Sequence, residues 1–178
     1  GNLFSLKAAL ERHGANVTII RGMDDLDQYD GLILPGVGNF DPAIESIEKD
    51  TDNLERAIGS GMPVMGICLG MEMLFNKSEE GKLEGLKILD GKVVMLPKGK
   101  VKVPHMGWNN LKIQGNSKLL EGVKDGSWVY FVHSYRTVPS TKRIVVATSD
   151  YGTTVPAVVE KDNLIGVQFH PEKSGDVG

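Results

Sequence analysis

Apolar positions recur at two spacings along the first half of the chain. Leu3, Leu6 and Leu10 fall at helical intervals, so the opening segment reads as a helix that Asn2 can cap and Gly14 can end. Residues 16–21 (NVTIIR) are β-branched and strand-like. Residues 31–34 (GLIL) form a short apolar run that stops at Pro35-Gly36. The pattern predicts mostly helix over 40–59, a second apolar run over 63–67 (PVMGI), and helix over 69–75 (LGMEMLF). Continuous apolar strands separated by helices indicate an α/β fold, with a largely parallel sheet covered by helices on both faces.

The second half changes character. Eight of the sixteen residues in 77–92 are charged, which predicts a solvated surface excursion. Strand-like runs follow at 93–96, 101–103, 128–132, 143–148, 155–160 and 164–169, some separated by turn dipeptides such as Asp90-Gly91 and Tyr151-Gly152. These read as antiparallel hairpins added to the sheet. No repeat or linker divides the chain, so residues 1–178 are expected to form one domain. A doubly wound sheet usually opens with a strand, whereas this chain opens on a helix and stops at 175–178 (GDVG). Both ends therefore read as truncated, with a first strand and a last helix missing.

Composition narrows the function. A chain of 178 residues, 40% of them hydrophobic, is long enough to bury a core. Lys and Arg total 20 against 23 Asp and Glu, a net charge of −3 that gives no global argument for nucleic-acid binding. No apolar run approaches the roughly 20 residues that span a bilayer, and no signal-peptide pattern is visible. The single cysteine excludes an intrachain disulfide and argues against a cysteine zinc site. A reducing cytoplasm is the expected compartment.

That cysteine stands in Gly66-Ile67-Cys68-Leu69-Gly70, between a buried strand and a helix. This is the nucleophile elbow, G-x-nucleophile-x-G, with Cys in place of Ser. The two glycines let neighbouring backbone approach, the following helix N-terminus favours thiolate, and the N–H of Leu69 is free to hold an oxyanion. The competing reading is a small buried hydrophobe. A nucleophile wants a base. Of the four histidines, His13 reads as a surface residue at a helix end. His105 and His133 have no obvious orienting acid. His170 lies in Gln168-Phe169-His170-Pro171-Glu172 at a strand end. Alternation puts Ile165, Val167 and Phe169 on one face and Gln168 and His170 on the other. Glu172 is then placed to orient the imidazole. Pro35-Gly36-Val37-Gly38-Asn39 follows another buried strand. It is a plain turn, a phosphate cradle lacking its third glycine, or a second oxyanion donor.

PGVG, GICLG and HPE, in that order, resemble the class I (triad) glutamine amidotransferases over nearly the whole chain. The resemblance implies a flavodoxin-like fold, Cys68 as nucleophile, His170 as acid/base and Glu172 as its orienter. It further implies an oxyanion hole from the backbone N–H groups of Leu69 and of Val37 or Gly38. Glutamine would be bound by Gly36, Gly38, Glu72, His133, Ser134 and Tyr135. Within that family, 103–109 (VPHMGWN), 132–135 (VHSY), the opening Gly1-Asn2-Leu3 and the closing HPEKSGDVG are similar to glutaminase subunits of imidazole glycerol phosphate synthase, of histidine biosynthesis. Such a subunit docks on a (β/α)8-barrel cyclase, here expected through a face carrying Asn2, Trp108 and Asn109. No metal and no organic cofactor is implied. The PGVG backbone is a plausible switch, because Gly36 and Gly38 make a peptide reorientation inexpensive. Glu72 departs from the glutamine usual in the family. The alternatives are a glutaminase serving another synthase, a stand-alone γ-glutamyl hydrolase, and a non-catalytic binding subunit.

Overall fold

A computed structural model describes residues 2–178, with the side chain of Asn2 left out. The expected capping and partner-facing roles of Asn2 thus lie outside the described residues. Helix α1 (Asn2–Arg12) ends where Gly14 adopts a φ of +87° and the N–H of Ala15 donates to Leu10 O. Strand β1 (Leu32–Leu34), helices α2 (Phe40–Ile47) and α3 (Thr51–Gly59), strand β2 (Val64–Ile67) and the single-turn helix α4 (Leu69–Glu72) follow. The rest is mainly strand: β3 (Lys77–Ser78), β4 (Gly91–Met95), β5 (His105–Asn110), β6 (Lys112–Ile113), β7 (Trp128–His133), β8 (Tyr135–Pro139), β9 (Val145–Asp150), β10 (Thr154–Lys161) and β11 (Leu164–Val167).

Six strands form the central sheet in the order β1-β2-β11-β10-β9-β6. The first three run parallel, and the remaining pairings are antiparallel. Within this sheet, parallel pairing is therefore confined to the strands that end in PGVG, GICLG and HPE. The α/β reading holds, with more antiparallel pairing than a largely parallel sheet implies. Alternation along the strands sorts the core into two layers. Leu34, Val64 and Leu164 face Phe40, Ile44 and Leu54 of α2 and α3. Ile67 and Val167 face Leu6 of α1 and Val129 and Phe131 of β7. Helices thus cover both faces. Two smaller sheets, β3-β4-β8 and β5-β7, flank the central one.

Several expectations need correction. Residues 16–21 form no strand. Among the described residues none pairs with them, and Thr18 and Ile19 are exposed. β-Branched propensity is realised only where a ladder partner and a surface to pack on exist. Residues 101–103 form only a bridge from Val101 to Lys98, because the N–H groups of Lys100 and Val101 turn back to Pro97 O. The charged stretch 77–92 is no solvated excursion. Ser78, Leu86 and Leu89 are buried, and the Asp41 carboxylate accepts the N–H groups of Lys82 and Leu83. Predicted helix over 69–75 ends after one turn. Strands β3, β5, β6 and β8 were not foreseen.

Candidate active site

Cys68 follows β2 directly, with φ +55° and ψ −112°. That strained backbone is held by close packing rather than by a side-chain cap. A Cβ on Gly66 would stand 2.7 Å from Gly70 O, and one on Gly70 would collide with Leu34 O. A Cβ on Gly36 would stand 2.6 Å from Gly70 N. The glycines of GICLG and the first glycine of PGVG are thus required by contact between the two segments. The N–H of Cys68 donates to Val167 O at 2.7 Å, fastening the elbow to β11.

The Cys68 sulfur lies 3.8 Å from Val132 O and 3.7 Å from Gln168 Nε2. Burial, reinforced by the Glu72 carboxyl, pushes the thiol far above its ordinary value, against the opposing donors Leu69 and Gln168. The expected thiolate is therefore not favoured in this state. One turn of helix carries too few aligned peptides to offset desolvation of the anion.

His170 lies beyond the end of β11. The pairing of Ile67 with Val167 sets Cys68 beside Gln168 and brings His170 to the same end of the sheet. His170 Nδ1 is 2.8 Å from Glu172 Oε1, with only 4% and 2% of the two side chains exposed. Nδ1–H therefore donates to the carboxylate, leaving Nε2 as the basic nitrogen. The turn is rigid. The N–H of His170 donates to Tyr130 O, Ser174 Oγ donates to His170 O, and the N–H of Tyr130 donates to Ser174 Oγ. No hydrogen bond joins the sulfur to His170. The structure brings Cys68, His170 and Glu172 to adjacent strand ends with the thiol turned to other partners.

The remaining predicted residues surround this centre unevenly. Gly38 has a φ of +98° with open space around it, and Val37 is exposed. Glu72 is buried. Desolvation, with Glu80 adding to it, holds its carboxyl well above the usual range, and Gln168 works the other way. Burial and the carboxyls of Glu80, Glu79 and Glu72 push the Tyr135 phenol up. Ser134 is half-buried, and its carbonyl accepts Leu96 N–H. His133 is committed at both ring nitrogens, to His105 Nδ1 at 2.9 Å and to Tyr135 O at 2.7 Å. Alternation along β5 separates Trp108 from Asn109, which were expected on one face. Met106 and Trp108 are exposed, whereas Asn109 turns inward to His105 and Asp150 O. Residues outside the expected set also reach the site. Gln168 touches the sulfur, and its phase with His170 was the available signal. Glu80, in the charged stretch where no spacing marked it, acts on Glu72 through its charge. Among the described residues no group of three or more His, Cys, Asp or Glu could hold a metal ion, and no helix is long and apolar enough to cross a membrane.

Comparison with known proteins agrees with this arrangement. A sequence model of the family "Glutamine amidotransferase class-I" matches residues 2–178. The chain is 49% identical to the imidazole glycerol phosphate synthase subunit HisH of Geobacillus thermodenitrificans, covering all of this chain and 87% of that one. It is 47% identical to the HisH subunit of Caldanaerobacter subterraneus subsp. tengcongensis, covering all of this chain and 89% of that one. In fold it is similar to a crystal structure of a glutamine amidotransferase, with a TM-score of 0.77 over 99% of this chain and 89% of that one, at 20% identity. With the elbow, the buried His–Glu pair and the PGVG turn at three adjacent parallel strand ends, the chain belongs to the class I glutamine amidotransferase family, among its HisH subunits.

Proposed function

We propose that the chain hydrolyses glutamine to glutamate and ammonia through a thioester on Cys68, and passes the ammonia to a (β/α)8-barrel cyclase partner. The partner would make imidazole glycerol phosphate and an aminoimidazole carboxamide ribonucleotide. The observation that carries this reading is the sealed 2.8 Å contact between His170 Nδ1 and Glu172, placed one strand from a strained cysteine elbow.

The chemistry follows from those atoms. The thiol leaves Val132 O and gives its proton to His170 Nε2, while the imidazolium is stabilised by Glu172. The sulfur attacks the side-chain amide carbon. The oxyanion is held by the N–H of Leu69 and by an N–H from Val37 or Gly38. His170 then returns the proton to the departing nitrogen, which leaves as ammonia. A water molecule, deprotonated by His170, cleaves the thioester and restores the thiol. Gly36, Gly38, Glu72, Ser134 and Tyr135 line the substrate side. The exposed Met106 and Trp108 supply the docking face.

The test is glutamate release from glutamine, with and without a cyclase partner carrying its ribonucleotide, and with Cys68→Ala as control. Strong stimulation that vanishes in Cys68→Ala supports the proposal. Equal activity with and without partner would indicate a stand-alone hydrolase, and no activity in either case a binding subunit.

A further inference from the structure

The mechanism above leaves a second pair of buried histidines unused. His105 and His133 face each other across the β5–β7 pairing, at 3% and 6% exposure. The Tyr135 carbonyl can only accept, so the proton of His133 sits on Nδ1. Burial lowers both rings, His133 to about 3 and His105 to about 4, so both are neutral. His133 Nε2 is then a bare acceptor, and His105 Nδ1 must be the donor across the 2.9 Å between them. His105 Nε2 accepts from Asn109 Nδ2 at 3.3 Å, and the same amide donates to Asp150 O at 2.9 Å. Asn109 Oδ1 accepts the N–H of Asn110 at 2.8 Å, which fixes the amide's orientation. Every hydrogen in this row points the same way. The His105 ring is further clamped between Phe131 and Tyr151, stacked at 4.6 and 3.9 Å.

We infer that His105 and His133 are positioning residues. Together with Asn109 they form a directed hydrogen-bond relay, ending on the Tyr135 carbonyl, that sets the 133–135 turn presenting Ser134 and Tyr135 to glutamine. The inference rests on the reading that this turn lines the substrate site. His133 then acts through the turn and not by touching glutamine, because neither ring nitrogen is free. Strand β5, which carries His105 and Asn109 of the relay, also carries Trp108 on its opposite face, and the relay crosses from it to β7 and the substrate turn.

Two measurements test this. The first is ¹⁵N NMR of the histidine rings in the full chain. It is expected to show both His105 and His133 as the Nδ1–H tautomer. The second is glutamine kinetics with the cyclase partner. His105→Phe keeps the stack and removes the relay, and is expected to raise KM about 5- to 10-fold with kcat within about 2-fold, the size of one neutral hydrogen bond. His105→Asn restores a donor at the Nδ1 position and is expected to recover most of that loss. An Nε2–H tautomer on either ring overturns the inference, as does an unchanged KM in His105→Phe, a loss confined to kcat, or equal impairment in both variants. If His105→Phe does not fold, the tautomers decide alone. A wild-type chain that releases no glutamate with its partner overturns the functional reading instead, and the tautomers still judge the relay.

Discussion

His170 and His133 are alike in most respects. Each is buried at a strand end, and each donates from Nδ1 to a nearby oxygen at 2.7–2.8 Å. They differ in what the oxygen belongs to and in what the other nitrogen meets. His170 donates to a carboxylate and leaves Nε2 uncommitted. His133 donates to a peptide carbonyl, and its Nε2 is engaged by a second neutral ring. The first can store a proton, because a negative charge is waiting beside it. The second has nothing to balance a charge and can only transmit position. Burial alone does not mark a catalytic histidine. On the proposed function, a buried counter-charge together with an open nitrogen does.

The largest effect expected from breaking this contrast is at the proton-storing pair. His170→Asn is expected to lower kcat for glutamate release by about 10³-fold or more, measured with partner present. Equal activity would remove His170 from the chemistry. Glu172→Gln keeps an acceptor for Nδ1–H and deletes the charge, making the first pair resemble the second. We expect a loss of about 10²-fold in kcat with KM little changed. The converse substitution, Asn109→Asp, sets a carboxylate beside His105 Nε2. It is expected to raise the His105 pKa from about 4 by about one unit or more, read by NMR titration.

The smallest effect is expected at Glu72. Burial holds its carboxyl well above the usual range and so favours the protonated form, which offers one donor and one acceptor, as glutamine does. Glu72→Gln should change kcat/KM by less than about 3-fold. Stability carries the clearer sign. A raised folded-state pKa gives stability that is full below 4.5 and is lost as pH rises through the folded value. The melting temperature of Glu72→Gln should therefore gain on that of the native chain as pH rises from about 4.5 to 8. A constant difference would mean that Glu72 is ionised throughout.

The parts legible in the sequence were those whose cause is local. GICLG and HPE are short because a strand-end turn is short, and the alternation in 164–169 placed Gln168 and His170 correctly. The departures arose wherever a partner distant in sequence decided the outcome. Residues 16–21 have strand propensity and no ladder to join. The one-turn α4 and the burial of Cys68 reversed the thiolate expectation, because desolvation is a property of the assembled pocket. Trp108 and Asn109 are neighbours in sequence, yet β5 sends them to opposite sides. His105 and His133 lacked a visible acid, which was correct. What could not be read was that each supplied the other's partner.

The two glycines of PGVG impose different constraints. Gly36 is pressed against Gly70, whereas Gly38 has open space around it and needs only its unusual φ. A side chain at 36 pushes the wall of the site away from the nucleophile, so position 36 decides whether a site exists. A side chain at 38 meets no neighbour and alters only the cost of one backbone angle. If the 37–38 backbone supplies the second oxyanion donor, as proposed above, position 38 would govern how much of the time that N–H faces the reacting carbonyl. On that proposal, substitutions there would retune the fraction of molecules ready to react while leaving the assembly intact, giving selection a dial at 38 beside a fixed stop at 36.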